Sequence, residues 1–203
     1  MLVRRLLIGS AALAGAAALA ACGSGDASAK PTASHSPSAT ATDTAGAAAV
    51  TWPAPADAAA SVKAAGLPML GAEGQALHIH SHLDILVDGK PVQVPANIGI
   101  DLKQQKISPL HTHDTTGIVH IESPVQADFT LGQFMTEWNA PFGKDKLGAL
   151  KTGGGNELHV YVNGKEQTGD PAALKLADHQ EIAVVYGKAG QKFPTSYAWP
   201  AGL

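Results

Sequence analysis

The chain has 203 residues, of which 45% are hydrophobic, 15% are charged and 5% are aromatic. This length suits one domain of ordinary size and excludes a large multidomain enzyme. The formal net charge of −3 provides no basic excess, which disfavours a nucleic-acid partner. The single cysteine excludes an intrachain disulfide and a cysteine-rich zinc module.

The N-terminus has the pattern of a secretory signal. Arg4 and Arg5 precede an uncharged apolar stretch that ends at residue 21 and is too short for a comfortable membrane-spanning helix. Next comes Leu19-Ala20-Ala21-Cys22, which resembles the lipobox of bacterial lipoproteins. This resemblance implies that residues 1–21 are a signal peptide removed by cleavage and that the sulfur of Cys22 takes a diacylglycerol. The alternative is an ordinary signal peptide followed by an incidental cysteine.

A tether is predicted after the signal peptide, over residues 22–66. This stretch is mostly Ala, Ser, Thr, Pro and Gly, and it has almost no large apolar side chains. It can therefore bury too little surface to offset its chain entropy, although residues 56–65 could form a short helix. We expect lipid on Cys22 to hold the protein at the extracytoplasmic face of the cell membrane. A folded domain is predicted over residues 67–187 and a tail over 188–203.

The domain begins with two predicted hairpins. Residues 77–87 alternate between apolar and polar side chains, which is typical of a strand with one face in the core. Asp88-Gly89 predicts a tight turn back into residues 92–94. Residues 110–113 and 118–122 predict a second hairpin, closed by the loop Asp114 to Gly117.

A helix and further strands complete the predicted domain. Thr130 and Gln133 have the spacing of a capping box, and Asn139 and Pro141 would end the helix. Further strands are expected at residues 157–162 and 182–186. Element order predicts an α+β domain, rich in antiparallel hairpins, with one main helix. The residues of the helix's apolar stripe are Leu131, Phe134, Met135 and Trp138.

Histidines cluster on the two predicted hairpins, where six of the nine lie between His78 and His120. An even-length loop in the second hairpin would place His111 opposite His120, with His113 on the same face. An odd-length loop with a bulge would turn His120 to the other face. Zinc and copper need nitrogens about 2.0 Å from the metal, and three converging imidazoles supply them. We therefore predict a metal site with these three histidines as its core ligands.

Auxiliary ligands come from the first strand, where His78, His80 and His82 share a face. The outer two are about 13 Å apart in a regular strand, so one ion cannot bind all three, and the pattern permits one shared site or two adjacent ones. Asp114 and Glu122 are candidates for a fourth ligand, an outer partner or a base. Histidine ligation favours Cu(II) or Zn(II), and the lack of cysteine in the domain excludes a blue-copper site.

Three functions are compatible with these features. The favoured one is a lipid-anchored, extracytoplasmic protein that captures, buffers or transfers Cu(II) or Zn(II), with membrane lipid, the metal ion and another envelope protein as partners. A zinc-type hydrolytic or hydration enzyme with a three-histidine site is the second. No HExxH motif and no serine-centred nucleophile motif supports the enzyme, so a non-catalytic role is preferred. The third is a cell-envelope binding module without metal.

Three segments of the domain, His78–Leu83, Pro95–Gly99 and His111–Glu122, together resemble a His-rich family of secreted bacterial proteins. That family is uncharacterised, and the resemblance extends over about residues 67–187. It implies that the three segments belong to one domain. It implies no activity.

Overall fold

The computed structural model describes residues 50–203. The predicted signal peptide, Cys22 and the first part of the tether lie outside the described residues. Between residues 50 and 203, strands predominate, and neither helix there is long and apolar enough to cross a lipid bilayer. The two helices are of equal length, where the sequence analysis expects one main helix.

The helices are α1 (Ala58–Ala64) and α2 (Leu131–Glu137), and a 3₁₀ turn covers Pro171–Ala173. The strands are β1 (Leu77–Val87), β2 (Lys90–Val92), β3 (Ile100–Asp101), β4 (Lys106–Ile107), β5 (Leu110–His111), β6 (Ile118–Ser123), β7 (Phe142–Gly143), β8 (Lys146–Leu147), β9 (Leu150–Lys151), β10 (Glu157–Val162), β11 (Lys165–Glu166) and β12 (Gln180–Gly187).

The main sheet has seven strands in the order β11-β10-β12-β1-β6-β5, and β2 pairs with the end of β1. The long strand β1 lies inside it, antiparallel to β6 and parallel to β12. Both predicted hairpins are present, although the first strand of the second hairpin ends at His111 instead of the predicted residue 113, which leaves His113 in the loop. Asp88 and Gly89 have the positive φ angles that a tight two-residue turn requires. The sheet is therefore mostly antiparallel, but β1 and β12 form a parallel pair that the hairpin pattern does not predict.

The core lies between one face of this sheet and helix α2. The predicted capping box of Thr130 and Gln133 is present, and all four residues of the predicted apolar stripe are buried. From the sheet, Leu83, Ile85 and Val119 are among the side chains that pack in the same cluster. Because side chains alternate along a strand, this burial leaves the other face of β1 and β6 for polar residues.

The folded domain begins before residue 67, inside the range predicted as tether. Trp52 packs against the core, its carbonyl accepts a hydrogen bond from the indole of Trp138 at 2.9 Å, and the two rings meet edge to face at 5.9 Å. Helix α1, which confirms the short helix expected there, buries Val62 completely. The average composition of residues 22–66 predicted a tether, but a few large side chains among many alanines are enough to pack the end of this segment against the core.

We predict that Trp52→Ala lowers the free energy of unfolding by about 2 kcal/mol, since it removes an aromatic pair and apolar contact area. Urea denaturation measures this change. Leu102→Ala is the matched control, because Leu102 is a large apolar residue that is 69% exposed. Equal stability of the two variants would mean that the segment around Trp52 does not contribute to the fold.

Candidate metal centre

Strand register brings the histidines together on the polar face of the sheet. His111 of β5 is directly opposite His120 of β6, and His120 is directly opposite His80 of β1. Two residues further along β6, Glu122 is directly opposite His78 of β1. Opposed residues of an antiparallel pair point to the same face, so all five side chains lie on one side of three adjacent strands. The predicted pairing of His111 with His120 is confirmed.

The imidazole rings converge closely. The ring of His120 has its centroid 5.1 Å from that of His111, 4.5 Å from that of His113 and 4.7 Å from that of His80. The Nε2 atoms of His111 and His113 are 3.2 Å apart. Two ligands about 2.0–2.1 Å from a tetrahedral ion are themselves about 3.3 Å apart. This pair of nitrogens therefore already has the spacing of two ligands of one ion.

Glu122 lies at the centre of the cluster and is only 2% exposed. Its Oε1 atom is 3.0 Å from Nδ1 of His120 and 3.5 Å from Nε2 of His78. The Nε2 atoms of His80 and His111 are each 3.9 Å from the same oxygen. Burial raises the pKa of Glu122, but the hydrogen bond from His120 and the surrounding imidazoles outweigh it and lower the pKa. Glu122 is therefore an ionised carboxylate with four imidazole rings around it.

Burial keeps two of the imidazoles neutral. The pKa of His111 falls to about 3, because the ring is completely buried and lies beside the imidazoles of His120 and His113. Burial, together with His120 and His78, also lowers the pKa of His80. A metal-ligating imidazole must be unprotonated, so both rings are in the form that binds a metal ion.

A second layer of contacts orients His111. Its Nδ1 atom donates to the carbonyl of Ser108 at 3.0 Å, so Nε2 turns its lone pair toward the cluster. The hydroxyl of Ser108 in turn bonds to the buried carboxyl group of Glu137. The sequence analysis misses Ser108 and Glu137. The one available signal was the position of Glu137, three residues after Phe134 at the edge of the apolar stripe of α2.

Within residues 50–203, two buried polar atoms of the cluster have no hydrogen-bond partner, Nε2 of His80 and Oε2 of Glu122. Buried polar atoms are almost always paired, and an unpaired one costs about 1–3 kcal/mol. Nε2 of His80 lies 3.9 Å from Oε1 of Glu122. A cation bound between these two atoms would satisfy the imidazole nitrogen, so the residues present fit a metal ion.

The geometry defines which residues could share an ion. In each of two groups, one ligand atom per residue lies within 4.8 Å of all the others, and both groups use Glu122. One group consists of His111, His113, His120 and Glu122. The other consists of His78, His80 and Glu122. The residues that the sequence analysis chose as core ligands therefore lie together, and Glu122 is a direct candidate ligand.

His82, which was predicted as an auxiliary ligand, is not part of this cluster. Its Nδ1 lies 2.8 Å from a carboxylate oxygen of Glu181, and its Nε2 lies 2.8 Å from the carbonyl of Thr116. The carbonyl only accepts, so Nε2 donates to it, and Nδ1 faces the carboxyl group of Glu181. Burial lowers the pKa of His82, but Glu181 and Thr116 outweigh it and raise the pKa, while burial also raises the pKa of Glu181. Asp84 and Glu181 are close enough to His82 to form a third group that could share an ion, but both nitrogens of its ring are already engaged in these contacts.

Asp114, which was predicted as an outer partner or base, shapes the loop instead. Its Oδ1 atom accepts hydrogen bonds from the backbone N–H and the hydroxyl of Thr116, and these bonds lower its pKa. The residue is exposed and contributes no ligand atom to either group. His159 is partly exposed on the surface and lies between the carboxylates of Glu157 and Glu166.

Comparisons with family models, with curated proteins and with solved structures give no match for this chain.

We predict that Glu137→Gln changes stability in a pH-dependent way. Burial raises the pKa of Glu137 to about 8 from an ordinary 4.5. The folded state thus holds this proton more tightly than the unfolded chain, and stability is lost as pH rises from about 4.5 to about 8. Glutamine does not ionise, so the stability of the variant should rise relative to that of the wild type across that range, by on the order of 5 kcal/mol in total. Urea denaturation at several pH values measures the difference, and a constant difference would contradict the prediction.

Proposed function

We propose that this protein is a lipid-anchored, extracytoplasmic metal-binding protein that captures, buffers or transfers Cu(II) or Zn(II). The observation that carries the proposal is the convergence of His111, His113 and His120 on the buried carboxylate of Glu122. Strand pairing positions His111, His120 and Glu122, and His113 follows two residues after His111, so the four side chains need little rearrangement to meet one ion. A non-metal binding module would instead leave the rings turned apart on the surface.

The donor set favours a borderline dication. Imidazole nitrogen suits zinc and Cu(II), whereas calcium and magnesium prefer shells made of oxygen. Three imidazoles and one carboxylate also fill the four positions of a tetrahedral ion. Catalytic zinc keeps a position open for water, so a filled shell supports capture and transfer over catalysis at this ion.

Exposure differs among the ligands in a way that suits exchange of the ion. His111 is completely buried, whereas the side chain of His113 is 44% exposed and lies 3.3 Å from the carboxylate of Glu73. Buried groups would therefore bind an ion on its protein side, and the exposed His113 would be the ligand that solvent or a partner contacts first. A purely structural ion would have no need of an exposed ligand.

The membrane location in this proposal is supported by the lipobox resemblance at Leu19-Ala20-Ala21-Cys22. We predict that the full chain, expressed in a bacterial host, enters the detergent phase on partitioning and carries a lipid mass on Cys22. Cys22→Ser should abolish both, because serine lacks the thiol that would accept the diacylglycerol. Mass spectrometry of the N-terminal peptide is the measurement. A wild-type peptide without lipid would contradict the anchor and leave the metal site untouched.

Metal binding is tested by titrating the purified protein with Cu(II) and with Zn(II) at pH 7.5, using calorimetry and elemental analysis. His113→Ala should weaken affinity at least about 10-fold, because it removes a ligand. Because the side chain of His113 is 44% exposed, the variant should fold like the wild type, and thermal unfolding checks this.

His159→Ala is the matched control, since it removes another partly exposed histidine that lies outside the cluster. The control should bind like the wild type. A folded wild-type protein that binds neither ion would overturn the proposed function.

A further inference from the structure

We infer that the cluster holds two cations and that the carboxylate of Glu122 bridges them. This inference rests on the proposed metal-binding function and adds a second ion to it. The first ion is bound by His111, His113, His120 and Glu122. The second is bound by His78 and His80 of β1 together with the same Glu122.

The position of Glu122 in the sheet makes it a shared ligand. It lies on β6, the middle strand of the three, with His111 on β5 at one side and His80 on β1 at the other. Its Oε1 atom is within 3.9 Å of imidazole nitrogens from both neighbouring strands. An ionised carboxylate oxygen has two lone pairs and can bridge two ions, and Oε1 of Glu122 faces imidazole nitrogens of both groups.

One ion cannot use all of these ligands. Five imidazoles and a carboxylate exceed the four positions of a tetrahedral zinc ion or the four strong positions of tetragonal Cu(II). If only the first site were filled, Nε2 of His80 would stay buried without a partner. A second ion bound by His78 and His80 removes that unpaired atom.

The two sites should differ in their affinity for the ion. The first has four protein ligands, whereas the second has three and keeps a position for water or for a donor atom of a partner. The side chain of His78 is 43% exposed, so this second position is at the edge of the cluster. Repulsion between two dications, only partly offset by one shared carboxylate, weakens the second further. We therefore expect stepwise binding, with the second ion being the one that exchanges readily.

The test is a Cu(II) titration of the purified full-length protein, followed by elemental analysis and electron paramagnetic resonance. We expect two equivalents, the second bound at least about 10-fold more weakly. At one equivalent, the spectrum should account for one isolated Cu(II) per chain. At two, coupling through the shared carboxylate should broaden the spectrum and reduce its intensity per copper.

Two variants identify the second site. His78→Ala should bind one equivalent and keep the isolated spectrum, and His159→Ala should bind two like the wild type. Thermal unfolding verifies that both are folded. One equivalent in the wild type, or two in His78→Ala, would overturn the bridged pair while the proposed function stands. Binding of no metal by the folded wild type would overturn both.

Discussion

The register of three strands, β5, β6 and β1, is the constraint on which the site depends. On the opposite face of the sheet from His120 and Glu122, the neighbouring residues Val119 and Ile121 are almost completely buried. A slip of one residue would exchange the two faces and expose both of these apolar side chains, each of which contributes about 1.5–3 kcal/mol by burial. The core on one face of the sheet therefore determines where the histidines of the other face point.

The same packing sets the chemistry of the cluster. Because the chain folds around His111, water is excluded from its ring, which stays neutral, and the carbonyl of Ser108 directs its lone pair inward. Glu122 is buried as well, but four nearby imidazoles keep it ionised. An anion beside the unprotonated rings of His80 and His111 attracts a cation strongly where water is scarce. The side chains of the cluster are already gathered, so an ion bound there would require little ordering of them.

Local patterns predicted the parts of the site that lie close together along the chain. Alternation predicted β1 and the hairpin of His111 and His120, and the capping box predicted α2. The pairing of β1 with β6 brings His80 to His120. No local sequence pattern predicts this pairing, because the two strands belong to different hairpins. For the same reason the parallel partner β12, which supplies Glu181 to His82, could not be foreseen. Ser108 and Glu137 were missed because their role depends on tertiary packing.

His82 shows how one histidine can serve a site without ligating anything. By donating to the carbonyl of Thr116, it ties the loop after His113 to strand β1, and through its hydrogen bond with Glu181 it ties β1 to β12. Tyr197 of the C-terminal segment stacks on the ring at 3.7 Å, which shields this contact from solvent. The C-terminal segment is thereby linked to the loop beside the histidine cluster, so its removal would disturb the geometry of a candidate site that it never touches.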